Sequence, residues 1–182
     1  IGIDFMGFIF YQKSPRYQNK SLILSNISKY KVGVFVNEDF ESIRDKILKQ
    51  NLTHVQLHGD ESPYLCKKLM TLVRVIKVFR ISQYFDINKT YEYLESCDYF
   101  LFDTDSDSFG GSGKKFNWDI IKNFTKKKFF LSGGIDLESI DKIQKIKKEN
   151  EYLFAVDINS KFEFSPGIKD IKKIERFLKK VK

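Results

Sequence analysis

Residues 128–134 read KFFLSGG, and the reading of this stretch decides the fold. Three consecutive apolar residues leave no polar face, so the run suits a parallel strand covered on both sides. A serine and two glycines then end it, and glycine lets a backbone turn tightly or come close to an anion. The same grammar recurs along the chain in DFMGFIF (4–10), KVGVFV (31–36), HVQLHG (54–59), RVIKVFRIS (74–82), YFLFDT (99–104) and LFAVDIN (153–159). Amphipathic segments separate these runs: DFESIRDKILKQN (39–51), SPYLCKKLM (62–70), INKTYEYLES (87–96) and DLESIDKIQKIKK (136–148). A last helix is predicted over 168–181, with Ile171, Ile174, Phe177, Leu178 and Val181 at helical spacing.

Strands alternating with helices predict right-handed βα units and a parallel sheet. A doubly wound sheet and a (βα)8 barrel both satisfy that pattern. A barrel spends about 30 residues on each unit. The barrel reading therefore makes residues 1–182 a single domain carrying strands two to eight. It places the first strand and most of the first helix outside this sequence.

Hydrophobic residues make up 42% of the 182 positions and charged residues 31%, a balance ordinary for a globular domain. No apolar run approaches the roughly 20 residues that span a bilayer, and no signal-peptide pattern is found. Cys66 and Cys97 fit neither a metal spacing nor a disulfide framework. A cytoplasmic location is expected. The net charge of +8 raises the question of nucleic acid. Arginine, the better base and phosphate reader, occurs only at Arg16, Arg44, Arg74, Arg80 and Arg176, while the lysines scatter over helix faces and turns. Neither nucleic acid nor membrane is expected as a partner.

In a barrel the chemistry sits at the C-terminal ends of the strands. Here those ends are KSPRY (13–17), QLHGDES (56–62), FDTDSD (102–107), LSGGID (131–136) and VDINSKFE (156–163). The last two are the most informative, because loops after strands seven and eight often present backbone N–H groups to phosphate. Gly133 and Gly134 supply one half of such a site, and Asn159, Ser160 and Gly167 lie where the other half would be. Alternatively, Gly133–Gly134 is only a tight turn and Ser165–Pro166 only a helix start. Asp103 is a helix-cap or lysine-pairing residue on one reading, and a general acid under a closing loop on the other. Arg16 has the shape to hold a carboxylate through two hydrogen bonds. Gln56 and His58 alternate with Val55 and Leu57, so both point to one face, and His58 is a substrate-binding candidate. Lys77 and Arg80 are assigned no role. The GGSGKK stretch (110–115) is not a Walker A loop, since Ser108 and Lys115 stand where glycine and a hydroxyl residue are required.

MGFIFYQKSPRY (6–17), VQLHGDES (55–62), LFDT (101–104) followed by GGSGKKFNW (110–118), LSGGI (131–135) and VDINSKFEFSPGIKD (156–170) occur in an order and spacing that resemble phosphoribosylanthranilate isomerase. The resemblance covers the chain from Asp4 onward and implies a (βα)8 barrel. It implies an isomerase of tryptophan biosynthesis, converting N-(5-phosphoribosyl)anthranilate to 1-(2-carboxyphenylamino)-1-deoxyribulose 5-phosphate by an Amadori rearrangement. Asp103 then matches the general acid that protonates the furanose oxygen, and Arg16 matches the arginine that holds the anthranilate carboxylate. Gly133, Gly134, Asn159 and Ser160 match the phosphate loops, and SFGGSGKKF (108–116) matches a mobile loop beside the acid. No metal or organic cofactor is implied, because the substrate's own amine supplies the iminium. The expected partner is a small phosphorylated substrate, bound by a monomer or a homodimer.

Two positions depart from the family pattern. Lys161 stands where glycine is usual. The family's general-base cysteine, in a KxCG-like motif at the end of the first strand, has no counterpart here, and neither Cys66 nor Cys97 is suitably placed. Three expectations follow for the base: it lies in a preceding segment, the chain is truncated and inactive, or it is a binding remnant. A different sugar-phosphate isomerase or epimerase barrel is the enzymatic alternative.

Overall fold

The computed structural model describes residues 2–18, 27–104 and 116–181. Seven strands run in chain order across one sheet: β1 (Phe5–Ile9), β2 (Tyr30–Phe35), β3 (His54–Leu57), β4 (Arg74–Ile81), β5 (Tyr99–Thr104), β6 (Phe129–Leu131) and β7 (Leu153–Val156). The β1–β2, β2–β3, β3–β4, β5–β6 and β6–β7 pairings are parallel. The KFFLSGG stretch behaves as its composition dictates, with every residue of β6 buried.

Among the described residues four α-helices accompany the strands: α1 (Phe40–Gln50), α2 (Pro63–Leu69), α3 (Ile140–Glu149) and α4 (Ile171–Val181). Their starts follow from local chemistry. Asp39 caps α1 by accepting from the Ser42 N–H, and Ser62 caps α2 just ahead of Pro63. Ahead of α3, Asp136 and Ser139 form a reciprocal capping box around a turn of 3-10 helix. Apolar residues at three- and four-residue spacing face inward, namely Ile43 and Ile47 on α1, Ile140, Ile143 and Ile146 on α3, and Ile174 and Phe177 on α4.

Two segments differ from the sequence expectation. Residues 87–93 form a 3-10 helix instead of an α-helix, a segment whose β-branched and aromatic residues are weak helix formers. SPGIKD does not start a helix. Residues 163–165 and 168–169 form an antiparallel hairpin, β8 (Glu163–Ser165) and β9 (Ile168–Lys169), turning through Gly167 at φ +86°.

Packing divides the chain into two compact units. One comprises Ile3–Val78 and Ile87–Tyr99, the other Ile1–Gly2, Phe79–Asp86 and Phe100–Lys182. The core of the second is aromatic: Phe79 meets Phe100 at 4.9 Å between ring centroids, and Phe102 meets both Phe124 and Phe129 at 5.3 Å. Because side chains alternate along a strand, Phe100 and Phe102 share one face of β5, which puts Asp103 on the other.

Candidate active site

Asp103 lies at the C-terminal end of β5 and is only 7% exposed. Its Oδ1 accepts a hydrogen bond from the Thr104 N–H at 2.8 Å. Gly133 follows β6 at φ +87°, and Gly134 continues at φ +63°. A Cβ built on Gly133 would fall 2.3 Å from Thr104 Oγ1, 2.8 Å from the Thr104 nitrogen and 3.2 Å from Asp103 Oδ1. Glycine is thus required twice, by its φ and by the space it leaves. The glycine turn and the buried carboxyl are therefore neighbours. The turn is pinned to the adjoining strands by Ser132 N–H to the Phe102 carbonyl, 2.9 Å, and by Ser132 Oγ to Asp157 Oδ2, 3.4 Å.

The loop after β7 carries Asn159 and Ser160. Residues 160–162 make one turn of 3-10 helix, in which the Phe162 N–H donates to the Asn159 carbonyl at 2.9 Å. Phe162 is buried against Phe177 of α4, with ring centroids 5.1 Å apart. Lys161 stands exposed in this turn, and the described non-glycine residues with positive φ are Asn37 and Asn51. The family's glycine position is thus occupied in a helical turn that a lysine adopts without strain. Asn159 Oδ1 accepts from Lys169 Nζ at 2.6 Å, a contact across the hairpin that sequence spacing did not reveal.

Arg16 and His58 belong to the other unit. KSPRY forms a compact double turn, with Ser14 N–H to the Tyr11 carbonyl and Tyr17 N–H to the Ser14 carbonyl, both 3.0 Å. Gln18 N–H returns to the Ile9 carbonyl at 2.9 Å, which holds half-buried Arg16 beside the end of β1. His58 is buried after β3, and its Nδ1 lies 3.3 Å from Gln56 Nε2, in keeping with their common face.

Lys77, left without a role by the sequence, is the centre of this loop. Its Nζ donates to the Gly59 carbonyl at 2.7 Å, the Leu57 carbonyl at 3.4 Å and Glu61 Oε2 at 2.9 Å. The two side chains are 3% and 1% exposed. Glu61 Oε1 in turn accepts from the Asn37 and Gly59 N–H groups at 2.9 and 3.1 Å. This buried ion pair fixes the backbone on either side of His58. The glutamate and lysine sit 16 residues apart, and neither has a neighbour in sequence that announces the pairing.

Both cysteines are buried. Burial pushes the Cys66 thiol up to about 12, so it is not a thiolate at neutral pH. Cys97 Sγ donates to the Tyr93 carbonyl at 3.3 Å. Among the described residues no group of three or more His, Cys, Asp or Glu side chains is arranged to hold a metal ion, and no helix is long and apolar enough to cross a membrane. The loop read as a cover for Asp103 falls mostly at residues 105–115, outside the described residues.

The family model for N-(5′-phosphoribosyl)anthranilate (PRA) isomerase matches residues 2–180. The N-(5′-phosphoribosyl)anthranilate isomerase of Phocaeicola vulgatus is 41% identical over 183 residues, covering 100% of this chain and 88% of that protein. A solved structure of mutually generated monomers of the dimeric enzyme from Thermotoga maritima superposes with a TM-score of 0.84 at 33% identity, covering 99% of this chain and 88% of the other. A phosphoribosyl anthranilate isomerase in complex with reduced 1-(o-carboxyphenylamino)-1-deoxyribulose 5-phosphate superposes at a TM-score of 0.82 with 33% identity and the same coverage. Each superposition covers 99% of the chain, so the sheet is that of the family's α/β barrel. The chain belongs to the phosphoribosylanthranilate isomerase family, and its activity is that family's isomerisation in tryptophan biosynthesis.

Proposed function

We propose that Asp103 is the general acid of this isomerisation and that the Gly133–Gly134 and Asn159–Ser160 loops hold the substrate's phosphate. The observation that carries the proposal is the close approach of Gly133 to Asp103. In a ribose 5-phosphate the ring oxygen is only three bonds from the ester oxygen. A phosphate seated on backbone N–H groups at the glycine turn brings the ring oxygen within reach of the adjacent carboxyl. Protonation there opens the furanose, and the anilinic nitrogen lone pair forms the iminium that acidifies carbon 2. Loss of that proton gives the enolamine, which tautomerises to the aminodeoxyribulose product. Electrons and atoms balance without an external oxidant or cofactor.

Arg16 takes the anthranilate carboxylate through two N–H donors, and His58 contributes to the substrate site from the loop fixed by Lys77 and Glu61. Neither Cys66 nor Cys97 removes the carbon-2 proton, since both thiols are buried; that step belongs to another group. The protein works in the cytoplasm on a small phosphorylated substrate, as monomer or homodimer, with no part for nucleic acid or membrane.

The test is turnover of N-(5-phosphoribosyl)anthranilate, followed by loss of anthranilate-type fluorescence, in the parent protein and in Asp103→Asn. The variant should lose at least about 100-fold in kcat, the lower end of general acid–base contributions. Its affinity for inorganic phosphate should stay within about threefold, since the phosphate loops are untouched. A variant that turns over at the parent rate removes Asp103 from the mechanism.

A further inference from the structure

Lys169, in the SPGIKD stretch, joins two groups that are ten and six residues distant in sequence. Its Nζ donates to Asn159 Oδ1 at 2.6 Å and to Glu163 Oε1 at 2.8 Å. The Glu163 side chain is 2% exposed and also accepts from the Gly167 N–H at 3.1 Å, whereas the Lys169 side chain is 37% exposed. The glutamate is thus a buried anchor in the hairpin, and the lysine carries that anchorage outward to the loop after β7. Asn159 has φ −141° and ψ −97°, neither helical nor extended, so no regular ladder sets its orientation. Two bonds do so: the Phe162 N–H to its carbonyl and Lys169 Nζ to its side chain.

We infer that Lys169 is a positioning residue for phosphate binding, acting through Asn159. This inference rests on the reading of Asn159–Ser160 as half of the phosphate site. With the ammonium in place, the turn at residues 159–162 is held in one arrangement around Asn159 and Ser160 before substrate arrives, so less binding energy is lost to ordering it. The Glu163 carboxylate balances the ammonium's charge at 2.8 Å, so the lysine acts by holding Asn159 and not by its field. The effect is on binding of the phosphate end and leaves the proton transfers at the sugar untouched, so it appears in KM and hardly in kcat.

Steady-state kinetics with inorganic phosphate as competitive inhibitor test this in the intact chain. Lys169→Met should raise both KM and the phosphate inhibition constant about tenfold, as expected for losing one charge-assisted hydrogen bond, with kcat changed by less than about threefold. Lys169→Arg, which keeps charge and donors, should recover most of the loss. Asn159→Ala should reproduce the effect, and the double variant should add little, since the two act on one interaction. If Lys169→Met lowers the thermal midpoint while KM and phosphate inhibition stay at parent values, the lysine is only a hairpin brace and the inference fails. Should Lys169→Met fold poorly, Lys169→Gln, which keeps a polar side chain without the charge or the reach to bridge Asn159 and Glu163, decides the matter in the same way. Gly134→Ala separates the two levels of the argument. If it weakens phosphate inhibition and Lys169→Met does not, the phosphate loop stands and the lysine's role falls. If neither variant weakens inhibition, the phosphate-loop reading falls with it.

Discussion

Gly133 and Gly167 have almost the same φ, +87° and +86°, yet differ in surroundings. A Cβ at Gly133 meets the Thr104 nitrogen and hydroxyl below 3.0 Å, whereas one at Gly167 meets nothing within 4 Å. Alanine at 167 should therefore cost about 1–2 kcal/mol from its φ alone. Alanine at 133 should cost about 1–3 kcal/mol more, because β5 backbone must shift. Urea unfolding of the two variants checks this, and equal losses would contradict the close approach on which the site is built. The sequence made Gly133 legible as a turn or an anion contact, but the identity of its neighbour could not be read. Thr104 is 29 residues away, and only strand pairing brings it there.

At the scale of elements, the loops after the strands are held by pairs that the strands themselves do not predict. The Lys77–Glu61 pair joins β4 to the loop after β3, with both charges almost wholly out of water. Removing one partner leaves the other charged and buried, which costs roughly 3–5 kcal/mol. Lys77→Met should show a loss of that size in the urea midpoint. The double variant Lys77→Met/Glu61→Gln should be clearly more stable than Lys77→Met alone, because the orphaned carboxylate is gone; a double variant as unstable as the single would show that packing around the lysine stem, not charge, dominates. Element types were well marked in sequence where composition was one-sided, as in β6 and in α4 with its apolar stripe. They were poorly marked at SPGIKD. Proline and glycine there announce a turn, but a short hairpin is selected by the pairing of Glu163 with Lys169, and that is a tertiary matter.

For the molecule as a whole, cooperative unfolding should carry a signature of His54. Burial holds its imidazole below the ordinary 6.5, Asp98 opposes this by favouring the charged form, and Arg74 adds to it. Its ring lies among Phe5, Tyr30 and Tyr99. The unfolded chain takes up the proton more readily than the folded one, so stability is complete above about pH 6.5 and declines as pH falls below it toward the folded value. His54→Phe keeps the ring contacts and should flatten the fall in urea midpoint between pH 7 and pH 5. His58, the only other histidine, is common to both proteins, so parallel slopes would show that His54 is not responsible. The sequence by itself determined the alternation of strands and helices, the burial of the inner strands β2 to β6 on both faces, though not of β1 and β7, which are only partly buried, and the positions of polar residues at the strands' C-terminal ends. These follow from local composition and period, which every segment carries within itself. Only tertiary structure decided that Gly133 touches Asp103, that Lys77 is buried with Glu61 and that Lys169 ties Asn159 to the hairpin. Those contacts join residues whose separation in sequence has no fixed relation to their distance in space, and they exist only once parallel strands set the register.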